Sequence, residues 1–147
     1  MFATGALRQI DEAYVQRGLV RFGYRHLVVL GPNSQRAAEA SECAAEQGAF
    51  WAYHDLLYGP QTGGSRGGFN DNLKQIAADL GLDTTVFNAC LDSGKTAALV
   101  RTETSRGQSL GVRGTPAFLI NGQPLAGAQP FEVFQQIIEA EIGAIDQ

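Results

Sequence analysis

The sequence predicts an α/β protein in which a small sheet-bearing portion is interrupted by a long helical insertion. Three observations carry this reading. Leu19–His26 alternates apolar and polar residues, Ala40–Leu57 and Leu73–Leu91 repeat apolar residues at helical spacing, and Asn121-Gly122 gives a strong hairpin signal ahead of a last amphipathic run. With 147 residues, 44% of them hydrophobic, the chain is long enough to bury a core without metal support. The expected organisation is an αβ…ββα portion over residues 1–32 and 111–147, with the helical block inserted at 33–110.

The first element is expected to be a helix over residues 3–17, with Ala3, Leu7, Ile10 and Tyr14 on one face and Gly18 as its C-terminal cap. In Leu19–His26, Val20, Phe22, Tyr24 and His26 oppose Leu19, Arg21, Gly23 and Arg25, the period of a strand, and Gly31-Pro32 closes the segment as a loop. From Ser34, the residues Ala40, Cys43, Gln47, Phe50, His54 and Leu57 recur three and four apart, and Gly48 divides them into two helices. The glycine-rich stretch Tyr58–Asn70 has too little apolar surface to pack and reads as a loop. Its glycine pairs lack the strand-turn-helix context of a phosphate cradle.

A third helix aligns Leu73, Ile76, Ala77 and Leu80. Asp83 then caps a short helix bearing Val86, Phe87, Cys90 and Leu91, closed by Ser93-Gly94. Lys95–Leu110 has helix-forming composition and a thin apolar stripe, which predicts a partly exposed helix. Ala117–Ile120, the turn Asn121-Gly122 and Gln123–Ala126 form the hairpin. Pro130 is placed at the first position of a final helix striped by Phe131, Phe134, Ile138, Ile142 and Ile145.

Charge and ligand chemistry exclude several functions. The net charge is -4 and the 11 basic residues are scattered, so nucleic acid is not an expected partner. No apolar run approaches the ~18 residues of a membrane span. Cys43, Cys90, His26 and His54 do not have the spacing of a zinc site, and neither a metal nor another cofactor is expected. His26 and His54 read as structural. Each cysteine lies on an apolar helix face, which suits either a buried thiol or a disulfide; neither has a resolving thiol beside it.

Three segments carry a family resemblance. Gly111-Val112-Arg113-Gly114-Thr115-Pro116-Ala117-Phe118-Leu119-Ile120-Asn121-Gly122 resembles the cis-proline loop and hairpin of the DsbA-like thioredoxin-fold thiol-disulfide oxidoreductases. Ala44–Gly48, with Phe50-Trp51 and His54–Leu57, and then Phe87–Lys95 resemble parts of that family's helical block. The resemblance implies a thioredoxin-like fold with a helical insertion, lacking its first strand here, and a cis bond at Thr115-Pro116. It implies that Arg113, Gly114, Thr115 and Pro116 form a loop where Thr115 pairs with an extended substrate backbone. It also favours a disulfide between Cys43 and Cys90, and an oxidising, extracytoplasmic setting for the full-length protein.

The departure is the family's C-P-x-C type pair, where a helix dipole lowers a thiol pKa; the chain opens at Met1-Phe2-Ala3, inside the helix that would follow it. A truncated N-terminus is the expectation, and with it a redox-inert chain. The activity implied is disulfide exchange with cysteine-containing protein clients. The alternatives are a non-catalytic peptide-binding module and the glutathione-dependent isomerase branch of the same fold. In the family topology the lost strand is an interior one, flanked by Leu19–His26 and Ala117–Ile120. The chain is expected to close that gap by pairing the flanking strands directly or by forming a homodimer.

Overall fold

The computed structural model describes residues 2–59 and 69–145, and these divide into two compact units. One comprises Met1–Tyr24 with Val112–Gln147, the other Arg25–Gly111. The boundary expected at residue 32 thus falls at 24, for a reason visible in hydrogen bonds. The His26 N–H donates to Glu103 Oε2 at 2.8 Å and the Val28 N–H to Thr104 Oγ1 at 3.1 Å, tying this extended stretch to a helix of the second unit.

In the first unit, α1 (Ala6–Ile10) runs into a π-helical turn at Asp11–Val15, and Gly18 closes it at φ +72°. The buried stripe is Phe2, Ala6, Ile10 and Tyr14, spaced by four, whereas Ala3 and Leu7 are only half-buried. An i, i+4 row stays on one side of a helix, and the wide turn at 11–15 keeps Tyr14 on it.

Leu19–Tyr24 forms neither helix nor strand, but its burial alternates as the sequence predicted: Val20, Phe22 and Tyr24 are half-buried while Leu19, Arg21 and Gly23 are exposed. It is nevertheless not a strand of a ladder. Among the described residues the sheet has two strands, β1 (Ala117–Ile120) and β2 (Gln123–Ala126). Alternation reports which face is covered, whereas a ladder needs a neighbouring strand in register, and among the described residues the assigned ladder joins β1 to β2. The direct closure expected between Leu19–His26 and β1 does not occur.

β1 and β2 pair antiparallel with Ile120 opposite Gln123, and both turn residues have positive φ, 47° at Asn121 and 89° at Gly122. This is a type I′ turn, whose twist matches the strands it joins. Below the hairpin, α7 (Phe131–Ile145) begins one residue after Pro130 and buries Phe134 and Ile138. Phe2, Phe118 and Phe134 meet with ring centroids 4.4 to 5.2 Å apart, the centre of this unit's core.

The second unit is helical. It holds α2 (Pro32–Ala45), α3 (Phe50–Tyr58), α4 (Phe69–Asp79), α5 (Thr84–Ser93) and α6 (Ala97–Ser109). Its core gathers Ala40, Cys43, Tyr53, Leu73, Ala77, Phe87 and Leu91 from four of these helices. The loop expected over Tyr58–Asn70 lies largely outside the described residues, at 60–68; Tyr58 still belongs to α3, and α4 already starts at Phe69. Gly48, at φ +73°, separates α2 from α3, and Asp83 caps α5 by accepting the Val86 N–H at 3.0 Å. The thioredoxin-like fold with a helical insertion is the architecture present.

Candidate functional site

α6 ends at Ser109, and Gly111 (φ +82°) turns the chain into a loop of exposed residues, Arg113, Gly114 and Thr115, ahead of half-buried Pro116 and β1. The Thr115-Pro116 peptide bond is cis. Beyond β2, the Gly127 N–H donates to the Pro116 carbonyl at 2.8 Å, which carries the hairpin ladder one step past β1. The Pro116 oxygen is thereby occupied, and its missing N–H asks for nothing. Thr115, one residue earlier, has no hydrogen bond among the described residues, and neither the guanidinium of Arg113 nor its backbone has a polar partner there. The loop therefore offers a solvated backbone donor and acceptor at Thr115 with a positive charge two residues away. An extended polypeptide could pair there as an added strand.

Cys43 and Cys90 are joined, with S–S 2.03 Å and Cα–Cα 5.9 Å, and the cystine ties α2 to α5. Both residues are buried, at 1% and 6% exposure, so no thiolate from solvent reaches the bond without local opening. These two are the only cysteines of the chain, which therefore holds no C-x-x-C pair.

The histidines are hydrogen-bonded inside the helical unit. His26 Nε2 lies 2.7 Å from Glu42 Oε1, and His54 Nδ1 lies 3.1 Å from Asp55 Oδ1 with its ring against Phe50, Trp51 and Tyr58. Among the described residues no group of three or more His, Cys, Asp or Glu side chains is placed to hold a metal. Buried Glu39 is held by Arg36, whose guanidinium also donates to the Leu91 carbonyl at 2.8 Å. The Arg36–Glu39 pair is one helical turn apart, whereas His26 with Glu42 and Arg36 with the Leu91 carbonyl join positions that no local spacing in the sequence announces.

Sequence reasoning missed a groove in the first unit. It runs between residues 19–23 and β1 over a floor that includes Ile10, Phe134 and Ile138, with a volume of about 330 Å³. The alternation of 19–26 and the apolar run 117–120 were both visible; the space between them is a property of the fold.

A short hairpin preceded by a cis-proline loop and packed on helices, with a helical block inserted ahead of it, defines a thioredoxin-like scaffold with a helical insertion. The comparisons agree. The family described as thioredoxin matches residues 1–140, and the chain belongs to that family. It is 34% identical over 136 residues to Na(+)/H(+) antiporter NhaA 3 of Salinispora tropica, covering 88% of this chain and 20% of the antiporter. The chain thus spans about a fifth of the length of such relatives. It is 26% identical over 141 residues to the probable disulfide bond formation protein D of Bacillus anthracis, covering 92% of this chain and 64% of that one.

Among solved structures, BdbD of Bacillus subtilis in its oxidised form superposes with TM-score 0.85 at 21% identity, over 97% of this chain and 79% of that one. A thioredoxin-like oxidoreductase from Silicibacter pomeroyi DSS-3 superposes with TM-score 0.70 at 27% identity, over 96% and 82%. Among the described residues no helix is long and apolar enough to cross a membrane.

Proposed function

We propose that this chain supplies the fold and the client-binding loop of a DsbA-type protein thiol-disulfide oxidoreductase. In that chemistry a thiolate attacks a disulfide sulfur, the attacked bond breaks to release the second sulfur as thiolate, and a mixed disulfide joins enzyme and client. The carrying observation is the exposed Arg113–Pro116 loop, whose Thr115 backbone has no hydrogen bond among the described residues, in a chain matched to the thioredoxin family over residues 1–140. Thr115 pairs with the client backbone, Arg113 adds charge, and Gly114 with Pro116 shapes the turn. The clients are cysteine-containing polypeptides. The buried cystine suits an oxidising compartment outside the cytoplasm.

The 147 residues hold no vicinal thiols, so by themselves they bind and do not exchange. That absence is the specific ground for the second reading, a peptide-binding module without chemistry. The test is a nuclear magnetic resonance titration with a reduced, unfolded, cysteine-containing polypeptide. Shifts centred on the Thr115 amide are expected; a client that binds elsewhere, or not at all, overturns the proposal.

A further inference from the structure

The turn of the hairpin carries chemistry as well as shape. Asn121-Gly122 is the sole Asn-Gly pair of the chain, and both residues are exposed. The side-chain carbonyl of an asparagine can be attacked by the backbone nitrogen of the next residue, and a glycine there, having no Cβ, leaves the approach open. The register leaves that nitrogen unengaged. Ile120 lies opposite Gln123, so the ladder bonds beside the turn join those two residues and pass over Gly122, whose N–H has no hydrogen bond among the described residues. The other reactant is held. Asn121 Nδ2 donates to Glu141 Oε2 at 2.9 Å, and the side-chain amide of Gln123 donates to Glu141 Oε1. Glu141 thus clips the turn to α7 through two amides, one of them chemically labile.

We propose that Asn121 is a site of spontaneous deamidation, held back by Glu141, and that the reaction unclips the hairpin from α7. The Gly122 nitrogen gives its proton to hydroxide and attacks Asn121 Cγ. The new N–C bond closes a succinimide ring as the bond from Cγ to Nδ2 breaks and ammonia leaves. Water then opens the ring at either carbonyl, leaving aspartate or its isoaspartyl isomer at 121. Water is consumed, ammonia is released, and nothing is oxidised or reduced. While Nδ2 is bound to Glu141 the side chain keeps one orientation, so attack waits for that bond to open; a single hydrogen bond of this kind slows it about two- to tenfold. The product reverses the contact. A donor amide becomes a second carboxylate facing Glu141, and the two repel. The isoaspartyl isomer also threads an extra backbone carbon through a turn whose twist, with φ 47° and 89°, is matched to the strands it joins.

The experiment incubates the full chain at mildly alkaline pH and follows the tryptic fragment from Gly114 to Gln147, in which Asn121 is the single asparagine. Chromatography with mass spectrometry separates its asparagine, aspartate and isoaspartate forms. The native chain is expected to accumulate both acids, faster as the pH rises. Glu141→Ala should accelerate this about two- to tenfold, whereas Glu141→Gln, which keeps an acceptor oxygen, should stay near the native rate. Asn121→Asp supplies one product directly. Amide exchange at Phe118 and Ile120, which pair with β2, should be faster in that variant than in the native chain, and adding Glu141→Gln should restore much of the protection by removing the repulsion. If neither the native chain nor Glu141→Ala forms an acid at 121 while the free peptide Leu-Ile-Asn-Gly-Gln does, the site is overturned. Equal rates in the native chain and Glu141→Ala overturn the role of Glu141, and unaltered exchange in Asn121→Asp overturns the unclipping.

Discussion

Tyr53 is fully buried, and its hydroxyl donates to the Leu73 carbonyl at 2.8 Å, so its phenol is neutral in a place where a phenolate would be desolvated. Burial pushes its pKa well above the ordinary value of 10, and Tyr14 is raised in the same direction by burial and by the Glu139 carboxylate that its hydroxyl bonds at 2.9 Å. The sign of the pH dependence follows. Below about pH 10 both the folded and unfolded chains keep these protons, and the full stability is present. Above it the unfolded chain releases protons that the folded chain retains, so stability falls toward the folded pKa, by at most about 1.4 kcal/mol per pH unit for each tyrosine. Urea midpoints measured from about pH 9 to 11.5 should be flat and then decline. Tyr53→Phe should flatten the decline while lowering the neutral-pH stability by about 1 kcal/mol for the lost hydrogen bond. An unchanged alkaline slope in that variant would show that Tyr53 titrates normally.

At the scale of elements, the helical unit is held by contacts that differ in how far apart in sequence they join. The Asp83 cap is local: its carboxylate takes the Val86 N–H, and Asp83→Ala should lower stability by about 1 kcal/mol, read as a shift of the helical unit's melting midpoint. The cystine is not local. It closes a loop of 47 positions between α2 and α5, for which chain entropy alone gives about 4 kcal/mol. Cys43→Ala with Cys90→Ala should therefore lower stability by about 2 to 4 kcal/mol. The single tryptophan, Trp51 on α3, lies in this unit and reports the transition by fluorescence. A loss under 1 kcal/mol would mean that the core around Tyr53 and Phe87 fixes the two helices unaided. This local and distant division also explains what the sequence disclosed. Asp83, Gly48, Gly94 and the Asn121-Gly122 turn act within a few residues, and their elements end where expected. The pairing of Leu19–His26 depends on a distant neighbour, so its alternation was legible and its lack of a ladder was not.

For the molecule as a whole, the cis-proline loop was legible because it is one contiguous segment, Arg113–Pro116, whose residue types and order carry the resemblance. The groove was not, because Ile10, Arg21, Leu119 and Phe134 meet only after folding. The redox behaviour of the 147 residues depends on both kinds of information. Composition supplies two cysteines, too far apart for a C-x-x-C pair, and the fold joins them to each other at 1% and 6% exposure. Exchange requires an accessible thiolate able to reach a sulfur along the disulfide axis, and a buried bond between two helices offers neither the thiolate nor the access. In the native chain a thiol reagent should detect no free sulfhydryl, and two should appear after unfolding with reductant. Added to insulin and dithiothreitol, the chain should leave the rate of insulin precipitation at the uncatalysed value, and it should not speed oxidation of a reduced protein. Acceleration that disappears in the Cys43→Ala, Cys90→Ala variant would mean that the helical unit opens often enough to expose its cystine, and the assignment of that bond to structure alone would fall.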